Sequence, residues 1–308
     1  MQILYKSDPQ RGALWQQWLA QHAPDVQLHL WPETGDPQAI EIAIVWQPPE
    51  KLTETFPNLK ALLSVGAGAD QFDLAALPPD LPVVRMIEPG LTQGMVEYVT
   101  FAVLGIHRDM PRYLQQQRAA QWQAHSVRPA ATRRVGVMGL GELGQAVLRQ
   151  LVSLGFDCAG WSRTPRQLDG VQCFHGAAQM GAFLARSDIL VCLLPLTAET
   201  RGLLNRDLFA QLPPGAALVQ AGRGAQLNSQ DLLAALDGGQ LAAAVIDVTD
   251  PEPLPPSHPF WRHPAIWLTP HIASQTQNES AVAALLENLR RYQRGEPMVG
   301  LIDRARGY

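Results

Sequence analysis

The chain has no apolar stretch approaching the roughly 20 residues that a membrane helix requires, no long run of either charge sign and no closely paired cysteines. Each absence removes a class of protein. Without an apolar span, no segment is expected to cross a bilayer. With 24 bases against 28 acids and a net charge of −4, nothing draws the chain to nucleic acid or to an anionic membrane. Cys158, Cys173 and Cys192 form no C-x-x-C pair, and each lies in or beside an apolar run. They read as core thiols of a reducing compartment. The His and Cys positions show no zinc spacing and no H-E-x-x-H, so no metal site is expected. No G-x-S-x-G elbow appears, which removes the common hydrolase triad. The N-terminus reaches Lys6, Asp8 and Pro9 at once, unlike a signal or transit peptide, and a cytoplasmic protein is the expectation.

What is present is a chain of 308 residues, 46% of them hydrophobic and 17% charged, the balance of a globular protein with room for two domains. Short apolar runs alternate with helical patterns throughout, which predicts an α/β fold with mostly parallel sheets. The first series has strands at Ile3 to Tyr5, Val26 to Leu30, Ile42 to Trp46 and Ala61 to Val65, with a helix over Ala13 to Ala20. A long apolar-faced helix follows from Leu91 to His107. The Gln- and Arg-rich segment from Pro111 to Ala131 predicts a surface helix and loop. A stronger series then begins at Arg134. Its strands are expected at Val135 to Met138, Cys158 to Trp161, Ile189 to Leu194, Ala217 to Gln220, Ala243 to Asp247 and Ile266 to Thr269. Six strands match a complete dinucleotide-binding sheet. The last helix, Glu279 to Arg294, can return to the first domain and make it discontinuous.

The second series opens with Gly139-Leu140-Gly141-Glu142-Leu143-Gly144, a G-x-G-x-x-G between a buried strand and a helix. Gly139 permits the tight turn, Gly141 the approach of a pyrophosphate and Gly144 close helix–strand packing. The helix N-terminus then offers unpaired N–H groups to phosphate. The next strand ends in Ser162, Arg163, Thr164 and Arg166, where NAD sites usually carry an acid. No carboxylate is there to repel a 2′-phosphate, Ser162 and Thr164 can donate hydrogen bonds, and the arginines can pair its charge. NADPH (or NADP) is the predicted cofactor, with NADH a weaker alternative.

Three further elements fall just beyond predicted strand ends. Arg223, in Gln220-Ala221-Gly222-Arg223-Gly224, is a guanidinium placed to grip a carboxylate. Glu252 stands between Pro251 and Pro253 on a stiff backbone. His271 follows a buried strand and Pro270, where it can act as a proton donor. Taken singly, each has a plain structural reading: an arginine in a turn, a loop acid, a packed histidine. Their joint arrangement carries more weight.

That arrangement resembles the D-isomer-specific 2-hydroxyacid dehydrogenase family. The likeness runs through the glycine loop, Leu194-Pro195-Leu196-Thr197-Ala198-Glu199-Thr200, Arg223-Gly224, Asp247 with Glu252-Pro253-Leu254, and Thr269-Pro270-His271. In the first domain it includes Val65-Gly66-Ala67-Gly68-Ala69-Asp70. Trp46 to Pro49, Trp161 to Thr164 and the end, Asp303 to Tyr308, resemble the family's bacterial glyoxylate/hydroxypyruvate reductase branch.

The resemblance implies two doubly wound parallel-sheet domains. A Rossmann cofactor domain, residues 99–274, would be inserted into a smaller flavodoxin-like substrate domain, residues 1–98 and 275–308. It implies reduction of a small 2-oxo acid, glyoxylate or hydroxypyruvate, by hydride transfer to C2. Arg223 would hold the substrate carboxylate, with Trp46, Val65, Gly66 and Ala67 also at the substrate. His271 would give the proton, and Glu252 would bond His271 and favour its charged form. Cofactor contacts would come from residues 139–144 and 162–164, Leu194, Pro195, Thr200, Ala221, Gly222, Arg223, Asp247, His271 and Ala273. A homodimer through the cofactor domains is also implied. Gln220-Ala221-Gly222, Thr249-Asp250, Glu88-Pro89-Gly90 and Gln93-Gly94-Met95 depart from the common family pattern and leave substrate preference open. Two alternatives stay open: an NAD-linked dehydrogenase of a larger 2-hydroxy acid, and a cofactor-sensing binding protein.

Overall fold

The structure, a computed structural model, describes residues 1–304. Ala305 to Tyr308, part of the C-terminal resemblance, lie outside the described residues. The chain divides into two compact units, Met1–Leu91 with the segment from Gln275 onward, and Thr92–Ser274. The first holds β1 (Gln2–Lys6), α1 (Pro9–His22), β2 (Gln27–Leu30), β3 (Ile40–Val45), α2 (Leu52–Thr55), β4 (Ala61–Ser64) and β5 (Val83–Val84). Helix α3 (Pro89–His107) begins at its end, and α4 (Met110–Arg118) follows.

The second unit continues with β6 (Arg134–Met138), α5 (Glu142–Ser153), β7 (Asp157–Ser162), β8 (Val171–His175), α6 (Met180–Ala185) and β9 (Ile189–Cys192). Then come α7 (Arg206–Phe209), β10 (Ala216–Gln220), α8 (Ser229–Asp237), β11 (Leu241–Ile246) and β12 (Ile266–Leu268). Helix α9 (Asn278–Gln293) belongs to the first unit.

The expected boundary between residues 98 and 99 needs moving, since the units separate earlier in α3. The reason is packing. Met95, Val99, Ala102, Val103 and Ile106 join Val135, Val137 and Leu148 in one core, so α3 belongs to the second unit almost from its start.

In the first unit every strand pair is parallel, in the order β2-β1-β3-β4-β5. This is the flavodoxin-like order. Asp8 caps α1 by accepting the Arg11 N–H at 2.7 Å, Pro9 opens the helix, and Trp15 and Leu19 bury one face. Glu88 accounts for one departure from the family pattern. Its buried carboxylate accepts from the N–H groups of Gly90 and Leu91 at the start of α3, and from Gln277 N–H and Ser280 Oγ at the start of α9. One negative charge thus serves two helix N-termini, where negative charge is stabilising.

The second unit carries a parallel seven-stranded sheet in the order β12-β11-β10-β9-β6-β7-β8. Beyond the six expected strands stands β8, whose half-exposed Val-Gln-Cys-Phe-His lacks the apolar run of a buried strand. Successive side chains of a strand point to opposite faces. Met138, Leu190, Leu218 and Ile246 therefore pack on Phe183, Phe209 and Leu232, while Val137, Val191, Val219 and Val245 pack under α3 and α5. Strand order reverses between β6 and β9, the switch point at which open α/β sheets bind ligands beyond their carboxyl ends. Cys158 and Cys192 are buried, and burial pushes both thiols up to about 12. Cys173, on β8, is only half-buried. Among the described residues no helix is long and apolar enough to cross a membrane.

Candidate active site

Every second-unit residue assigned to cofactor or substrate in the sequence lies in a segment at or beyond the carboxyl end of a strand of the seven-stranded sheet. Gly139 to Gly144 follow β6, Ser162 to Thr164 close β7, and Leu194, Pro195 and Thr200 follow β9. Ala221 to Arg223 follow β10, Asp247 and Glu252 follow β11, and His271 and Ala273 follow β12. The strands of this sheet place these side chains along a single edge.

The glycine loop fits a dinucleotide for a reason visible in its packing. Gly139 has φ +106°, and a Cβ there would stand 2.8 Å from Leu193 O; one on Gly144 would stand 1.8 Å from Gly139 O. The fold itself requires both glycines. Gly141 differs, since nothing lies within 4 Å of the position its Cβ would take. Its missing side chain leaves open space at the N-terminus of α5, where a pyrophosphate would approach the backbone. Leu140 is buried, Leu143 packs against the core beneath, and Glu142 is exposed at the helix start. At the end of β7 the half-buried Ser162 donates Oγ to Thr164 O at 2.7 Å and shapes a turn with Arg163, Thr164 and Arg166 exposed.

Glu252 and His271 are brought together. Glu252 Oε1 accepts the Thr249 N–H at 2.9 Å, and Oε2 stands 2.8 Å from His271 Nδ1. A carboxylate only accepts, so Nδ1 donates, and Nε2 is the ring nitrogen that Glu252 leaves unengaged. A Cβ on Gly224 would stand 2.0 Å from the Thr249 carbonyl, so the loop of Arg223 packs directly on the loop of Glu252. The segments carrying Arg223, Glu252 and His271 are therefore contiguous. The Arg223 guanidinium also donates to Gly222 O at 2.8 Å.

Asp247 has a task that its sequence position did not reveal. It is 2% exposed. Oδ1 accepts from Thr269 Oγ1 at 2.7 Å and Ile272 N–H at 2.8 Å, Oδ2 accepts from Ala273 N–H at 2.9 Å, and the main-chain oxygen takes the His271 N–H at 2.8 Å. These bonds hold His271 in the left-handed region, at φ 54°, a conformation that costs a non-glycine residue about 1–3 kcal/mol. Since Thr269 Oγ1 donates to Asp247, Tyr98 donates to Thr269, at 2.6 Å. Burial pushes the Tyr98 phenol up to about 12. Tyr98 was missed, and Thr269 was given no role of its own, because they stand 171 residues apart in sequence.

In the first unit, Gly66 allows the Trp46 ring to lie against the backbone, a Cβ there being 3.0 Å from the ring. Two N–H groups of this loop have partners within the first unit. Val65 N–H donates to Val45 O at 3.2 Å and Gly66 N–H to Ser64 Oγ at 3.1 Å. Strand pairing and a serine turn thus shape the loop that the resemblance assigns to substrate.

Residues 100–273 match the family profile described as D-isomer specific 2-hydroxyacid dehydrogenase, NAD binding domain. Glyoxylate/hydroxypyruvate reductase A of Serratia proteamaculans is 39% identical over 300 residues, covering 96% of both chains. The crystal structure of a D-isomer specific 2-hydroxyacid dehydrogenase from Xanthobacter autotrophicus Py2, in complex with NADPH and MES, is 40% identical. It superposes with a TM-score of 0.94 over 100% of this chain and 99% of that one. An NADPH-dependent glyoxylate/hydroxypyruvate reductase from Sinorhizobium meliloti, in complex with NADP and sulfate, is 34% identical with a TM-score of 0.92 over 100% of each chain. With this sheet order, this strand-end site and these likenesses along the whole length, the chain belongs to the D-isomer specific 2-hydroxyacid dehydrogenases, a family of oxidoreductases.

Proposed function

We propose that this oxidoreductase reduces a small 2-oxo acid, such as glyoxylate or hydroxypyruvate, with NADPH. The observation that carries the reading is the 2.8 Å contact between His271 Nδ1 and Glu252 Oε2, on loops packed against that of Arg223. A pure binding protein has no need of an oriented imidazole backed by a carboxylate beside a guanidinium.

Bound at the glycine loop, NADPH supplies the hydride. Gly139, Gly141 and Gly144 with the start of α5 would hold its pyrophosphate, and Ser162, Arg163 and Thr164 its 2′-phosphate. Leu194, Pro195, Thr200, Ala221, Gly222 and Ala273 would line the remainder of its path. Arg223 would hold the substrate carboxylate and polarise the neighbouring carbonyl. The family resemblance assigns Trp46, Val65, Gly66 and Ala67 to the substrate as well. His271 Nε2 would give its proton to the developing alkoxide while Glu252 holds the opposite nitrogen. A homodimer belongs to the same proposal, and the exposed Phe101, Trp122 and Val127 of the second unit are apolar surface suited to it. NADPH preference is supported by the absence of an acid at Ser162.

The test is a panel of steady-state rates for glyoxylate, hydroxypyruvate, pyruvate and phenylpyruvate with each nicotinamide coenzyme. The expected result is the largest kcat/KM for a small oxo acid with NADPH. Turnover confined to bulky oxo acids with NADH would sink it.

A further inference from the structure

Two glutamines near Arg223 have no part in the site as so far described, yet both are fully buried: Gln220 is 0% exposed and Gln226 is 1% exposed. Buried amides are costly unless each end finds a partner. Those of Gln226 do. Its Oε1 accepts the Arg223 N–H at 2.8 Å and Gln220 Nε2 at 3.2 Å. Its Nε2 donates to Leu194 O and Pro195 O, both at 3.0 Å. Reversing the amide would set like ends against each other on both sides, so its orientation is fixed. Apart from its bond to Gln226, Gln220 holds only the Arg223 loop. Its Nε2 donates to Arg223 O at 2.8 Å and its Oε1 accepts from Gly222 N–H at 3.3 Å. Gly222 must be glycine here, because a Cβ would stand 2.4 Å from Gln226 Oε1 and 3.0 Å from Leu194 O.

We propose that Gln226 is a positioning residue that locks the loop after β9 to the main chain of Arg223, so that one buried amide sets both the NADPH-facing backbone at Leu194–Pro195 and the aim of the carboxylate-binding guanidinium. The proposal rests on the roles given above to Arg223 and to Leu194–Pro195. Arg223 swings on a long side chain, and a shift of about 1 Å at its root is enough to cost about a hundredfold in rate. The two glutamines divide the work. Gln220 steadies the Arg223 loop and the Gln226 amide, whereas Gln226 alone of the two bonds the main chain of the loop after β9.

The experiment uses the full chain with Gln226→Met, Gln220→Met and Arg223→Met. Methionine keeps the length of glutamine and removes its hydrogen bonds. NADPH affinity is read by fluorescence titration without substrate, glyoxylate KM and kcat by steady-state rates, and folding by thermal melting. Gln226→Met is expected to raise the glyoxylate KM and the NADPH Kd together, each by about tenfold, the loss of one or two hydrogen bonds. Gln220→Met is expected to raise the glyoxylate KM while the NADPH Kd stays within about twofold, since it leaves the Leu194 and Pro195 bonds in place. A Gln226→Met protein that melts earlier but keeps both constants overturns the proposal and leaves the glutamine a packing residue. If Arg223→Met fails to raise the glyoxylate KM, the role of Arg223 is what fails. Should Gln226→Met not fold, Gln226→Glu takes its place. It keeps the acceptor towards Arg223 and loses the donors towards Leu194 and Pro195, so the NADPH Kd should rise more than the glyoxylate KM, and the opposite order overturns the proposal.

Discussion

His271 and Glu252 meet through Nδ1 and Oε2 at 2.8 Å, while the other oxygen of Glu252 is held by the Thr249 N–H. The carboxylate is therefore oriented before the imidazole is, and the pair selects the tautomer with Nε2 turned away from it. Removing the proton donor in His271→Ala should lower kcat by about 10²–10⁴-fold, the usual contribution of a general acid. Glu252→Gln keeps an acceptor but loses the charge, and its loss should lie between tenfold and that limit. NADPH affinity, measured by titration, should change little in either variant. Full turnover in His271→Ala would remove the imidazole from the reaction.

The turn after β7 yields a second expectation. Ser162 closes the turn onto Thr164 O, leaving Arg163 and Arg166 exposed beside it. In Ser162→Asp a carboxylate would repel a 2′-phosphate and accept from ribose hydroxyls. A lost or opposed charged hydrogen bond is worth about 1.5–3 kcal/mol. The ratio of kcat/KM for NADPH over NADH should therefore fall by tenfold or more. An unchanged ratio would show that coenzyme choice is made elsewhere.

Asp247 and His271 are linked through the main chain, and this link is open to test in its own right. With Asp247→Asn, one of three donors from Thr269, Ile272 and Ala273 meets an NH2 group in place of an oxygen. The charged anchor of a left-handed His271 is lost with it. Stability should fall by about 3 kcal/mol, the scale of a buried charged hydrogen bond, and kcat should fall with it. Thr269→Val cuts the Tyr98 relay and only one of the Asp247 bonds, so its urea midpoint should lie between those of wild type and Asp247→Asn.

Much of this was legible in the sequence because parallel strands buried on both faces read as continuous apolar runs. Val135 to Met138 and Ala217 to Gln220 are examples, and the site residues follow such runs within a few positions. What was not legible has a common cause. β8 sits at a sheet edge and shows no apolar run, and β5 is two residues long. The early division inside α3 depends on which core its face meets, not on composition. Asp247 and Gln226 look like ordinary polar residues until their partners arrive from 22 to 32 residues away.

The last expectation concerns acid stability. Burial pushes the Asp188 carboxyl up, but Arg134, through side chain and backbone, and then Arg128 outweigh it and hold the group below the usual carboxylate range. His107 is also lowered, by burial first and then by Arg133 and Arg108, and its ring packs edge-on to Phe156. Both shifts have the same consequence, because in each case the unfolded chain binds the proton more readily than the fold. The stability due to His107 is full above about pH 6.5, its unfolded value, and declines as the pH drops below it. That due to Asp188 is full above about pH 3.9 and declines as the pH falls towards its lower folded value. Urea midpoints measured from pH 8 to pH 3 should show two successive losses. His107→Phe should flatten the first, which sets in below about pH 6.5, and leave the second. Asp188→Asn should lower the whole curve near neutrality, by removing the acceptor of Arg134 and Arg128, and flatten the acid limb. If His107→Phe and wild type fall in parallel below pH 6.5, the buried imidazole is not the group that titrates there.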